Sequence, residues 1–292
     1  MELNALTIPR LDLSENPLHI REQFQQFGAV IVGNVLDTEL LQRFRQSIGR
    51  LLHKQLQQAL AANTPFTEDA RSLDELFSTL CRIDRQRGGY VYDAIQWLPE
   101  YLEILSRSGL VDVSKILLNT EHVISPPVLS WVRIDRQGEG RNYFPWHQDY
   151  SYNLASRPTV TAWAPLLEIT APMGPLTIVP GSHNFHHLVE VRESDRYAKL
   201  TNVDVDELEE NAITVTPQVG EAVFFHELLL HRSGSNQSDR ARWVLNARWA
   251  SLDDPVFTER GWQFRRERSF QMLQQLHPDK YKAMAESPAV TE

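Results

Sequence analysis

The residues best suited to chemistry in this 292-residue sequence are Trp146-His147-Gln148-Asp149, taken together with His231 downstream. Two imidazoles and one carboxylate form the facial donor set that suits ferrous iron. Such a set leaves the opposite positions open for a bidentate cosubstrate and oxygen. In an extended segment His147 and Asp149 point to one face and converge on a single ion, with His231 returned by a later strand. Chance produces a His-x-Asp pair often in a chain with ten histidines, so the residues downstream carry the weight. Arg242 lies eleven residues after His231, and Ser233 lies two after it. A guanidinium fork grips a carboxylate bidentately, and a serine hydroxyl adds a further hydrogen bond. Strand alternation puts Arg240, Arg242 and Arg248 on one face and Trp243 on the other, so spacing from His231 is what singles out Arg242. Trp131 and Arg133, on the run entering the site, and Tyr150 beside Asp149 are candidate substrate contacts.

The surrounding elements must bring these residues together. Pro17 to Phe27 carries Ile20, Phe24 and Phe27 at helical spacing and stops at Gly28, a helix-ending residue. Ala29 to Val32 reads as a strand, and a second amphipathic helix starts behind Asp37 or Thr38. Ser72 to Leu80, Pro99 to Ser106 and Val111 to Leu118 also read as helices. Asp84 to Gly89 is charged and glycine-terminated, which reads as a pocket-covering loop with Tyr90 and Tyr92 behind it as lid residues. Pro126-Pro127 ends the helical part, because proline removes a donor and restricts its predecessor. Short β-rich runs follow at 128–134, 160–167, 176–179, 213–215, 222–225 and 243–250, separated by turn residues. Such spacing predicts a sandwich, jelly roll or barrel. The division is a mostly helical part at 1–123 and a β core at 124–252, with a surface insertion near 190–212. A tail at 253–292 is helical through Phe270 to Lys282, and all of these belong to one domain.

The formal charge is −9, which argues against nucleic acid or an anionic membrane as the main partner, since both reward clustered Lys and Arg. A small-molecule substrate is the expected partner. Cys81 is the single cysteine, so no intramolecular disulfide forms, in keeping with a reducing compartment. The first residues have no basic stretch followed by an apolar core, and no run reaches the roughly 18 apolar residues of a membrane span. A cytoplasmic setting is expected.

His147-Gln148-Asp149, Thr161-Ala162-Trp163, Gly174-Pro175-Leu176 leading into Pro180-Gly181-Ser182-His183, Gly220-Glu221-Ala222-Val223-Phe224-Phe225, and His231-Arg232-Ser233-Gly234-Ser235-Asn236 followed by Arg242 occur in this order. Together they resemble the phytanoyl-CoA dioxygenase family of iron(II)- and 2-oxoglutarate-dependent oxygenases, strongly over about 125–250 and more loosely before it. The resemblance implies a mainly β fold with helical additions: a double-stranded β-helix (a cupin-like jelly roll) packed against the N-terminal helices. It implies Fe(II) held by His147, Asp149 and His231. It further implies 2-oxoglutarate held by Arg242 and Ser233, with Gln148 and Trp163 lining that site, and O2 as the oxidant. The implied reaction hydroxylates a small metabolite and releases succinate and CO2. Desaturation, cyclisation and demethylation are other outcomes of the same oxidation, and a catalytically silent cupin-like binding protein is the alternative from another class. Two positions depart from the family pattern: Glu221, where Asp is usual, and Arg232, where a small residue is common. The carboxylate of Asp149 itself disfavours halogenation, because halogenating relatives carry a small residue there.

Overall fold

The structure is a computed structural model that describes residues 7–60, 72–126, 129–139, 144–153, 157–185, 191–192, 199–201, 203–260 and 269–282. In chain order it runs β1 (Arg10–Asp12), α1 (Pro17–Phe27), β2 (Ala29–Gly33), α2 (Thr38–Ala59), α3 (Leu73–Ile83), α4 (Arg85–Ile95), α5 (Pro99–Arg107) and α6 (Gly109–Leu118). Then follow β3 (Val123–Ile124), β4 (Trp131–Asp135), β5 (Thr159–Pro165), β6 (Leu176–Ile178), β7 (Val191–Arg192) and β8 (Lys199–Leu200). The chain continues through α7 (Val205–Glu210), β9 (Ile213–Val215), β10 (Ala222–His226), β11 (His231–Ser233) and β12 (Arg242–Ser251), and then α8 (Pro255–Glu259), α9 (Ser269–Leu276) and β13 (Tyr281–Lys282).

The result is a sheet-rich core with helices. A seven-stranded sheet has the order β1-β2-β10-β5-β12-β3, with β4 also paired to β12. A three-stranded sheet has the order β11-β6-β9, and β13, β7 and β8 make a third. Period-two alternation gives the large sheet two working faces. Val30, Val32, Ala162, Phe224, Trp243 and Leu245 join the α2, α3, α5 and α6 side chains in one apolar core. Ile31, Trp163, Val223, Phe225 and Val244 turn the other way and meet Leu176, Ile178 and Val215 of the small sheet. Along β12 this second face changes from apolar Val244 to Asn246 and Arg248, both buried. Polar side chains at inward positions mark the site.

The expected helices at 17–27, 72–80, 99–106 and 111–118 are present with boundaries shifted by a few residues, and Gly28 ends α1 at φ +72°. Three expectations need correction. Asp84 to Gly89 is not a loop but opens α4, because the Asp84 carboxylate accepts from the Arg87 amide at 3.1 Å and caps the helix. Gly88 is required there since a Cβ would collide with Cys81 Sγ, so the glycine serves helix packing and not mobility. Tyr90 is exposed on that helix, away from the cavity lining. The tail helix stops at Leu276, and Tyr281–Lys282 pairs in parallel with β7. The insertion near 190–212, expected at the surface as a helix or loop, carries α7, and Leu208 of that helix is buried with Trp146, Val179 and Leu230. Among the described residues no helix is long and apolar enough to cross a membrane.

Candidate active site

His231 opens β11, and its backbone exchanges two hydrogen bonds with His147 (His147 N to His231 O 3.0 Å, His231 N to His147 O 3.1 Å). The expected strand through His147 to Asp149 is therefore only one residue long. The chain turns at once, and Asp149 begins a single 3₁₀ turn through Ser151. Convergence comes from that turn, not from i, i+2 alternation. The Asp149 carboxylate folds back so that Oδ1 lies 3.7 Å from Nε2 of both His147 and His231. One donor atom from each of the three residues falls within a 4.8 Å spread, and all three residues are buried.

The hydrogen bonds around the imidazoles decide which nitrogen is bare. His147 Nδ1 lies 2.7 Å from Pro145 O and His231 Nδ1 lies 2.9 Å from Leu229 O. A carbonyl only accepts, so each Nδ1 carries the proton and each Nε2 keeps its lone pair for an ion. Burial, and then the neighbouring His231, push the His147 imidazole down to about 3. Burial likewise lowers His231, with Asp149 pulling the other way. Burial opposes ionisation of Asp149 too, but Arg248 and His231 outweigh it and hold the carboxyl below the ordinary carboxylate range. Two neutral imidazoles with bare Nε2 atoms and one anionic oxygen at common reach form a donor set that fits iron(II).

These groups sit at the inner wall of a cavity. Trp131, Phe144, Trp163, Leu176 and Phe225 give it apolar sides, and Arg133, Ser233, Asn153, Asn246 and Arg248 give it polar points. Ser233 Oγ accepts from Arg133 Nη1 at 3.2 Å. Of the residues singled out from sequence, His147, Asp149, His231, Ser233, Trp163, Trp131 and Arg133 line this space. Gln148, Tyr150 and Arg242 do not. Gln148 turns away and donates to Leu228 O at 2.8 Å. Tyr150 faces the tail, where its hydroxyl meets His277 Nε2 at 3.0 Å. Arg242 lies behind Ser233 with its nitrogens engaged: Nε and Nη2 on Asp135 Oδ2 at 3.0 and 2.5 Å, and Nη1 on the carbonyls of Met173 and Gly234. The approach of these loops depends on Gly174 and Gly234, since a Cβ on Gly234 would lie 2.7 Å from the Gly174 Cα.

The two departures from the expected family pattern have local partners. Glu221 accepts from the Gln218 amide at 2.7 Å and pairs with Arg10, a turn role. Arg232 lies over the Trp146 ring, 5.2 Å from its centroid, and pairs with Glu209. His183 Nε2 donates to Gln25 O at 2.9 Å, while His226 Nδ1 accepts from the Leu228 amide, so both have structural partners. Sequence reasoning noted Thr161 within a motif and Arg248 on the face of Arg242 but gave neither a role at Asp149. Thr161 shares the inward face of β5 with Trp163, and Arg248 shares that of β12 with Arg242, so alternation carried a signal for both.

A model of the phytanoyl-CoA dioxygenase (PhyH) family matches residues 24–244. The peroxisomal phytanoyl-CoA dioxygenase of Homo sapiens is 22% identical over 255 residues, covering 83% of this chain and 71% of that protein. The L-proline trans-4-hydroxylase of Streptomyces griseoviridis is 25% identical over 206 residues, 61% of this chain and 76% of that protein. Among solved structures, the epimerase SnoN in complex with Fe3+, alpha ketoglutarate and nogalamycin RO superposes with a TM-score of 0.51 at 18% identity, covering 82% of this chain and 86% of that one. This last likeness is one of fold.

Proposed function

The chain belongs to the phytanoyl-CoA dioxygenase family, and on that premise we propose that it is an iron(II)- and 2-oxoglutarate-dependent dioxygenase that hydroxylates a small molecule. The observation that carries this reading is the convergence of His147, Asp149 and His231 donor atoms within 4.8 Å inside a buried wall. Bound iron(II) supplies the redox chemistry by which O2 and 2-oxoglutarate become succinate and CO2 while a substrate C–H becomes C–OH.

The protein's own tasks are to hold, orient and keep dry. His147 and His231 offer Nε2 lone pairs because their Nδ1 protons are tied to Pro145 O and Leu229 O. Trp131, Phe144, Trp163 and Phe225 exclude water around the reacting atoms. For the far carboxylate of 2-oxoglutarate we assign the end of the cavity at Ser233. Arg133 and Arg242 both contact Asp135 there, so two guanidinium groups share one carboxylate and leave a net positive charge. Trp163 flanks the cosubstrate. Gln148, tied to Leu228 O, fixes the chain between His147 and Asp149 and does not touch the cosubstrate. Trp131, with Asn246 beside it on the paired strand β12 and Asn153 in the same lining, faces the substrate, and Tyr150 acts through the turn that carries Asp149.

The sheet order and the two facing sheets support a double-stranded β-helix (jelly roll) as the core of a single oxygenase domain over 1–292, with the helices of 1–123 as its scaffold. The charge of −9 supports a small molecule as partner over nucleic acid or an anionic membrane, and the lone Cys81 supports a reducing compartment such as the cytoplasm. The relatives named above include one for an acyl thioester and one for an amino acid, so both classes belong in the test. Succinate release is measured across amino acids, acyl thioesters, phosphonates, sugars and nucleotides. The expected result is one class that raises iron- and 2-oxoglutarate-dependent succinate well above the substrate-free level. Equal succinate with every class and with none contradicts a hydroxylase of small molecules.

A further inference from the structure

Backbone pairing positions the two histidines, but among the described residues no backbone group bonds the Asp149 carboxylate. Side chains hold it. Arg248 Nε donates to Oδ2 at 3.0 Å, and Nη2, 2.9 Å from both oxygens, donates to Oδ1. Thr161 Oγ1 donates to Oδ2 at 2.6 Å. Arg248 is itself locked, because Nη1 donates to Leu129 O at 2.8 Å and the guanidinium lies 5.2 Å from the Trp131 ring centroid. The fork therefore has no freedom to follow the carboxylate; the carboxylate must follow the fork.

An ionised carboxylate has about four lone-pair sites, two on each oxygen. Thr161 and Arg248 Nε occupy both on Oδ2, and Arg248 Nη2 takes one on Oδ1. Among the described residues one site is left, on Oδ1, the atom 3.7 Å from both imidazole Nε2 atoms. We infer that Arg248, assisted by Thr161, is a positioning residue that restricts Asp149 to a single-oxygen metal ligand and so keeps the positions opposite the triad free for 2-oxoglutarate and dioxygen. This rests on the iron reading above. It also gives Arg248 a role distinct from anchoring the cosubstrate, although the residue lines the same cavity.

The test is metal affinity without 2-oxoglutarate, read by calorimetry with Mn(II) and Co(II) on the full chain. Arg248→Lys keeps the charge but loses the fork, Thr161→Val loses one hydrogen bond, and the surface variant Arg43→Gln is the control. Partners that orient a metal ligand are typically worth about 10–100-fold in affinity. Arg248→Lys is expected to lose that much, Thr161→Val a smaller factor in the same direction, and Arg43→Gln nothing. If Arg248→Lys fails to fold, the Thr161→Val affinity decides alone. Wild-type affinity in both variants overturns the inference, as does a weakening that shows only in the 2-oxoglutarate requirement, which makes Arg248 a cosubstrate anchor. A wild-type chain that takes up no divalent metal overturns the iron reading itself, a separate outcome.

Discussion

His147 and His231 exchange both of their backbone hydrogen bonds, so the two imidazoles, 4.1 Å apart between ring centroids, are fixed by chain pairing before any side chain is placed. Asp149 reaches them from a turn and depends on its side-chain partners. Removing one imidazole therefore leaves the backbone frame intact. His231→Ala is expected to fold with a near-native melting curve yet to bind no iron(II), measured by metal content after anaerobic loading. Asp149→Ala is expected to abolish substrate-coupled succinate formation. Full activity in Asp149→Ala means that another carboxylate serves the metal.

Arg133 and Arg242 share Asp135 near the Ser233 end of the cavity in different ways. Arg133 borders the open space, whereas Arg242 is 1% exposed and fully engaged with Asp135 and two carbonyls. Arg133→Gln is expected to raise the 2-oxoglutarate requirement at least about tenfold, the loss of one charge-assisted contact, with little change in stability. Arg242→Gln is expected to do the same and also to destabilise the chain by about 3 kcal/mol, because Asp135 is left buried without its main cation. Kinetics in 2-oxoglutarate and urea unfolding separate the two effects. An unchanged requirement in both variants moves the anchor elsewhere.

Glu227 supplies a pH dependence of stability. Burial pushes its carboxyl up from 4.5 to about 7, against hydrogen bonds from Thr159 N and Oγ1 at 2.9 and 2.8 Å and the charge of Arg157. The folded chain thus holds this proton more tightly than the unfolded chain does. The resulting stabilisation is full below about 4.5 and is lost as pH rises through about 7. Glu227→Gln keeps an acceptor for Thr159 and removes the titration. Relative to wild type it is expected to gain about 3 kcal/mol between pH of about 5 and about 8.5, read by urea unfolding. A difference that does not change with pH rules the assignment out.

Glu209 joins the chain neighbours of His147 and His231: Oε1 accepts from Trp146 Nε1 at 2.9 Å, and Oε2 pairs with Arg232 Nη2 at 2.7 Å. The contact ties α7 over the site, but the carboxylate side chain is 43% exposed, so its worth is discounted for solvent screening. Glu209→Ala is expected to cost about 1 kcal/mol and to leave metal affinity within about threefold, since the backbone pair already holds the imidazoles. A tenfold loss of metal affinity makes this clamp part of the metal site.

The parts of the site legible in the sequence were those set by local pattern. His147, Asp149 and His231 stood out by residue type and spacing, and the helices by apolar periodicity with Asp37 as a cap and Gly28 as a stop. The strand alternation that put Arg242 and Arg248 on one face was correct, but Arg240, placed with them, precedes β12 and pairs with Asp74 of α3. What the sequence hid was long-range partnership. Nothing near Arg242 announces that Asp135, on the strand paired beside it, takes up its fork. Nothing near Asp149 announces Arg248, brought beside it only when β12 pairs with β5. Asp84 to Gly89 misled because a capping aspartate and a glycine chosen for close packing also look like loop residues.

Anaerobic addition of iron(II) and then 2-oxoglutarate tests the central claim most directly. The wild-type chain is expected to develop a weak visible charge-transfer band that requires both additions and is absent in His147→Ala. A wild-type chain that gives no band, or a band that persists in His147→Ala, contradicts the account.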